Sequence, residues 1–207
     1  MRYDEIRSIL KKKTAGIAGA GGLGSNCAVA LARSGVGTLV ISDFDRVEAA
    51  NLNRQVYYSA QVGTLKTIAL KENIMNIDPD INVITFEERL NPGNIPRIYK
   101  NCDVIVEAFD VAEMKEMLIL TVQEYLPGKP LVIGSGIAGW GGTEKISCRK
   151  IDDFLYVCGD EATETDEENP PLAPRVGIVA NMQANTVLEI LLANPVMNRE
   201  KDEDNVQ

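Results

Sequence analysis

The 207-residue sequence predicts one α/β domain on a doubly wound, mostly parallel sheet, with antiparallel strands added near the C-terminus. Three observations predict it. Short, almost wholly apolar runs alternate with longer helix-type patterns, as buried parallel strands and their crossovers do. A glycine-rich turn, G-A-G-G-L-G-S over residues 19–25, joins the first apolar run to the first helix pattern. After Gly134 the alternation stops and two strand patterns follow one another.

Each element has its own signal. The first thirteen residues read as a helix rather than a leader, because Asp4 and Glu5 precede the apolar stretch and glycines interrupt it. Residues 14–18 form a short central strand. A helix rich in Ala, Val and Leu follows over 25–34, and Gly35 is placed to end it. Residues 38–42 are the second strand, and 43–62 an irregular polar segment. The spacing of Leu65, Ile68, Ala69 and Glu72 predicts a helix over 63–76, which Asp78-Pro79-Asp80 breaks. Residues 82–86 alternate as a strand. After a short helix come a strand over 103–108, a helix over 112–125 and a strand over 130–134. Residues 143–148 and 154–157 pair as an antiparallel hairpin. The acidic, proline-rich stretch 160–174 is expected to be a mobile loop. A last helix over 176–192 carries Val179, Met182, Val187 and Ile190, and the charged tail from Asn198 is expected to fray. No repeat or linker divides the chain. It reads as a single domain over 1–207, with a nucleotide-binding half at about 14–135 and a second portion at about 136–194.

Composition narrows the function classes. A net charge of −9 disfavours a nucleic-acid backbone or an anionic membrane as the main partner. No run approaches membrane-spanning length. Histidine is absent, which removes every mechanism with a histidine base and every histidine metal site. The four cysteines, Cys27, Cys102, Cys148 and Cys158, include no C-x-x-C pair, so no zinc site is expected. Low cysteine use suits a reducing cytoplasm.

The glycine turn points to phosphate. Gly19, Gly21 and Gly24, with Gly22 between them, permit a tight turn and close approach of backbone to an anion at a helix N-terminus. Asp43 ends the second strand, where a carboxylate accepts ribose hydroxyls. These features alone do not separate a dinucleotide from ATP. The stretch D-F-D-R-V-E-A-A-N-L-N-R-Q, residues 43–55, adds Asp45, Asn51, Arg54 and Gln55, and Lys66 opens the next helix. Two cations beside a phosphate loop suit a triphosphate whose charge shifts during reaction. Asp110 stands at the carboxyl edge of the sheet, as a Mg²⁺ ligand, as the N-cap of the following helix, or as both.

With those strings, Q-V-G-T-L-K, N-I-D-P-D-I-N-V and E-A-F-D, the sequence resembles the ThiF/MoeB/HesA family, Rossmann-like relatives of ubiquitin-activating enzymes. The resemblance runs from about residue 14 into the last helix and is nearest to short ThiF-like adenylyltransferases of thiamine biosynthesis. It implies an enzyme that uses ATP and Mg²⁺ to adenylate the C-terminal glycine carboxylate of a small ubiquitin-like sulfur carrier ending in Gly-Gly. It implies that Gly21, Gly22 and Gly24 cradle phosphate and Asp43 holds ribose. Asn51, Arg54 and Lys66 would contact phosphates, and Asp110 would bind magnesium. A homodimer is implied, with an N-terminal arginine acting across it, for which Arg7 is the candidate. The segment before the last helix would guide the carrier tail, with Trp140 near that channel.

The sequence departs from the family in its cysteines: the zinc pairs of many members are absent, as is a cysteine soon after the fifth strand. Cys27 is expected to be buried, Cys148 to be a core or edge thiol, and Cys158, beside the loop, to be exposed, with thiol transfer left open. Two other classes compete. A nicotinamide-dependent oxidoreductase would use the glycine turn and Asp43 but leave Arg54, Lys66 and Asp110 unexplained. A non-catalytic adaptor would keep the fold without the chemistry.

Overall fold

A computed structural model describes residues 1–193; the charged tail from Asn198 lies outside the described residues. The chain runs α1 (Tyr3–Leu10), β1 (Thr14–Ala18), α2 (Gly22–Ser34), β2 (Thr38–Ser42), α3 (Lys66–Met75), β3 (Asn82–Phe86), α4 (Ile95–Tyr99) and β4 (Val104–Glu107). It continues through α5 (Ala112–Tyr125), β5 (Leu131–Gly134), β6 (Ser147–Lys150), β7 (Leu155–Gly159) and α6 (Ala173–Leu192).

The seven strands form one sheet in the order β3-β2-β1-β4-β5-β7-β6. Every pair is parallel except β6 with β7. The hairpin is therefore antiparallel as its sequence predicts, and β7 extends the parallel sheet beyond β5. Strand order reverses between β1 and β4, which opens a crevice at their carboxyl ends where open α/β sheets take ligands.

Alternation along the strands sends side chains to two cores. Ile17, Leu39, Ile41, Val104, Val106 and Val132 face α1, α2, α3 and α6. Ala18, Val40, Ile105 and Leu131 face α4 and α5. Most helix limits match the sequence reading within three residues. The shift with a consequence is at α2, which begins at Gly22 rather than Ser25, so the glycine turn runs into the first turn of the helix. Gly35 ends α2 in the left-handed region at φ 91°, as its placement predicts.

Candidate functional site

The site begins with the turn between β1 and α2. Gly19 has φ +99°, and a Cβ there would press on the Ala108 carbonyl at the end of β4. A Cβ on Gly24 would overlap the Gly19 carbonyl oxygen. These two glycines let the turn close against β4. Gly21 is the N-cap of α2 and brings no side-chain cap, and no acid lies in the first turn. The N–H groups there face outward with the positive end of the helix dipole behind them, an arrangement suited to an anion.

Neighbouring segments surround this turn. One oxygen of Asp43 accepts from the Ala20 N–H at 2.6 Å and the other from the Asp45 N–H at 2.7 Å. Burial raises the Asp43 carboxyl above the usual range, against those bonds and the nearby Lys66 charge. Lys66 is buried and donates to Asp45 at 2.8 Å. Gln55, also buried, brings Nε2 toward Gly21, and its Oε1 has no partner. The stem of Arg54 lies over Gly22, and its guanidinium reaches Asn53 at 2.8 Å. The Asn51 Oδ1 accepts from the Glu48 N–H at 3.0 Å and closes a short 3-10 turn, Ala49–Asn51. The Asn51 carbonyl takes the Arg54 and Gln55 N–H groups, so this turn aims both side chains at the glycines.

Asp110 is exposed at the end of β4, two residues beyond the carbonyl that abuts Gly19. It does not cap α5: the N-cap is Val111, with no side-chain cap bond. Its exposed side chain stands just beyond the carboxyl end of β4. Arg7 lies at the other end of the sheet, on Asp78 at 3.3 Å and against Gly35.

Several supporting residues were missed in the sequence. Tyr57 donates from beneath the turn to the Ala20 carbonyl at 2.7 Å. Glu107, wholly buried on β4, takes Lys115 at 2.9 and 3.0 Å and the N–H groups of Phe109 at 2.6 Å and Gly134 at 3.3 Å. Burial pushes its carboxyl above the usual range despite Lys115. An acid inside an otherwise apolar strand run was the available signal.

Beside it, Gln183 from α6 donates to the Glu107 carbonyl at 2.9 Å. Asp160 and Arg175 form a second buried pair, 4% and 6% exposed, and Arg175 also reaches the Gly141 carbonyl. Asp160 accepts from Ala162 and Thr163 as well. The 160–174 loop is thus pinned at its start, and Gly139 bonds to its far end at Pro170. A buried charge needs its partner, and this pairing ties the start of the expected loop to the helix that follows it. Cys158 is corrected from exposed to buried, while Cys148 is the exposed one and Cys27 is buried as expected.

The ThiF family model matches residues 3–205. The chain belongs to the ThiF family. Relatives include the adenylyltransferase and sulfurtransferase MOCS3 of Dictyostelium discoideum, 33% identical over 186 residues, covering 86% of this chain and 43% of that protein. The adenylyltransferase and sulfurtransferase UBA4 of Candida glabrata is 32% identical, covering 94% of this chain and 45% of its own length. The chain therefore spans about half the length of the curated relatives it matches. Among solved structures, the E. coli tRNA N6-threonylcarbamoyladenosine dehydratase TcdA in complex with AMP has a TM-score of 0.82 at 20% identity, covering 91% of this chain and 90% of that one, a likeness of fold. E. coli MccB with ATP has a TM-score of 0.69 at 25% identity, covering 90% of this chain and 57% of that one. The ThiF-family match spans the glycine turn, the N-L-N-R-Q block and all seven strands. No described helix of this ThiF-family chain is long and apolar enough to cross a membrane.

Proposed function

We propose that this chain adenylates the C-terminal glycine carboxylate of a small ubiquitin-like carrier of the ThiS type, consuming ATP and releasing pyrophosphate. The observation that carries the reading is the uncapped glycine turn at the N-terminus of α2, with Asp43, Gln55, Arg54 and Lys66 drawn around it from one contiguous stretch and the next helix. The names of the MOCS3 and UBA4 relatives support adenylyl transfer, and the sulfur carrier and thiamine biosynthesis are the finer part of the proposal.

The residues fit a nucleotide. Gly21 leaves room over the helix N-terminus, and the unpartnered Oε1 of Gln55 offers a buried acceptor beside it. Asp43 receives the ribose. The α2 N–H groups and Arg54 hold the phosphates, and Lys66 turns from Asp45 to phosphate as charge moves to the leaving pyrophosphate. Asn51 contributes by setting the turn that aims Arg54 and Gln55. The exposed carboxylate of Asp110 suits magnesium, which binds through few carboxylates plus phosphate oxygens and waters. When bound, the ion supplies charge neutralisation on the phosphates. Among the described residues no cluster of metal-binding side chains suggests zinc. Cytoplasmic placement and a homodimer complete the reading, the dimer being checked by sedimentation.

Incubation with Mg-ATP and candidate carriers ending in Gly-Gly, read by intact mass, tests this. The expected result is an AMP adduct on a carrier, with ATP–pyrophosphate exchange only when that carrier is present. Exchange that persists in Asp110→Ala would remove that residue from the role. Tight NADH binding without ATP affinity would replace the reading with an oxidoreductase, and failure to bind either nucleotide would favour an adaptor.

A further inference from the structure

Two cysteines that the proposed chemistry leaves unused lie face to face on the hairpin. Cys148 on β6 and Cys158 on β7 are register partners. The Ile151 N–H bonds the Leu155 carbonyl at 2.8 Å, which makes that pair hydrogen-bonded. Counting back along the ladder puts the two cysteines in a non-hydrogen-bonded pair, the kind whose Cα atoms stand about 4.5 Å apart. That separation falls inside the range a disulfide spans, about 4.4–6.8 Å. The sulfurs are already 3.3 Å apart. Thr186 of α6 holds the pair from behind, with Oγ1 3.2 Å from the Cys148 sulfur and 3.8 Å from that of Cys158. Cys148 is exposed and Cys158 buried, so one sulfur meets solvent while the other waits within reach.

We propose that Cys148 and Cys158 are a thiol–disulfide modification site that takes two-electron oxidants of the peroxide class. The Cys148 thiolate attacks one peroxide oxygen; an S–O bond forms, the O–O bond breaks, and the leaving hydroxide takes a proton to become water. The Cys158 sulfur then attacks the Cys148 sulfenic acid. The S–S bond forms, the S–O bond breaks, and the departing hydroxide takes the Cys158 proton as a second water. Two cysteine sulfurs lose one electron each and the peroxide gains both. Burial raises the Cys158 thiol, which assigns first attack to the exposed partner. A dithiol reductant reverses the bond by exchange.

The bond would staple β6 to β7 one residue before Gly159, at the base of the loop that Asp160 anchors to Arg175. This site stands apart from the glycine turn and does not depend on the adenylation reading.

Full-length protein treated with hydrogen peroxide and digested with trypsin without reduction tests it. Arg149 and Lys150 separate the cysteines onto different peptides, 146–149 and 151–175. The expected product is these two peptides joined with loss of two hydrogens, returned to the separate peptides by dithiothreitol. Cys158→Ala is expected to trap a dimedone adduct at Cys148 that the wild type does not accumulate. Hydrogen exchange over 155–163 should slow in the oxidised protein. Oxidation of Cys148 to sulfinic acid without the linked pair, at the same rate in wild type and Cys158→Ala, would overturn the proposal. So would a linked pair joining Cys148 to Cys27 or to a second copy.

Discussion

Glu107 and Asp160 are both buried carboxylates at the carboxyl edge of one sheet, each facing one cation, and they answer burial in opposite ways. Glu107 shares Lys115 with the Gly134 carbonyl, and desolvation keeps its carboxyl above the usual range. Burial also works to raise Asp160, but the bonds from Thr163 and Ala162, with the Arg175 charge, win and hold it below its ordinary value. The difference teaches that the balance between lost solvation and the donors aimed at a carboxylate decides its charge, and Glu107, sealed within the strand, loses the more solvation. The β4–β5 edge can trade its charge for a proton, while the loop after β7 is tied to an ion pair.

The largest test removes the cation from the fixed pair. Arg175→Met leaves Asp160 charged and buried, and urea denaturation near neutral pH is expected to show a loss of about 3–5 kcal/mol. Lys115→Met is expected to lose less, about 1–3 kcal/mol, because Glu107 can take up a proton instead. Its deficit against wild type should shrink as pH falls, and a deficit equal to that of Arg175→Met at every pH would break the comparison.

In the wild type the two carboxylates pull stability in opposite directions. Asp160, lowered from 3.8, adds stability that is present above that value and is lost as pH falls through its folded value. Glu107, raised from 4.5, binds its proton more tightly when folded, so stability falls as pH climbs from 4.5 through its folded value. Asp160→Asn should flatten the acid limb and Glu107→Gln the higher one, both read from stability against pH. The smallest effect on folding belongs to a third, half-buried carboxylate beside the glycine turn. Asp43→Asn should change stability by less than about 1 kcal/mol yet weaken ATP binding roughly tenfold or more by calorimetry, since one charged hydrogen bond is worth about 1.5–3 kcal/mol.

Legibility in the sequence followed locality. The glycine turn, Asp43 and the 51–55 block are read from one stretch because backbone conformation and short-range spacing place them; the structure brings Gln55 and Arg54 to Gly21 and Gly22 as that stretch implies. The strand limits of β2 and β3 and the hairpin sense were equally plain. What stayed hidden joins distant positions. Lys115 meets Gly134 across the sheet edge, and Arg175 meets both Gly141 and Asp160. An acidic, proline-rich composition suggests solvation, and nothing local announces that one of its acids is buried on an arginine from the next helix. Asn51 carries a part its block did not announce: its Oδ1 closes the 3-10 turn.

The hairpin also decides how the sheet ends. All four residues of β6 are exposed, and Arg149 and Lys150 stand on this outermost strand. A bare strand offers its free N–H and C=O groups as a template for a neighbour's backbone, and the charged pairs Arg149–Glu161 and Lys150–Asp153 would have to be desolvated for that docking. The seven-stranded sheet thus carries its own stop signal. Concentrated protein should resist growing sideways into cross-strand stacks, and exchanging Arg149 and Lys150 for valines would remove that protection and leave the folded core intact.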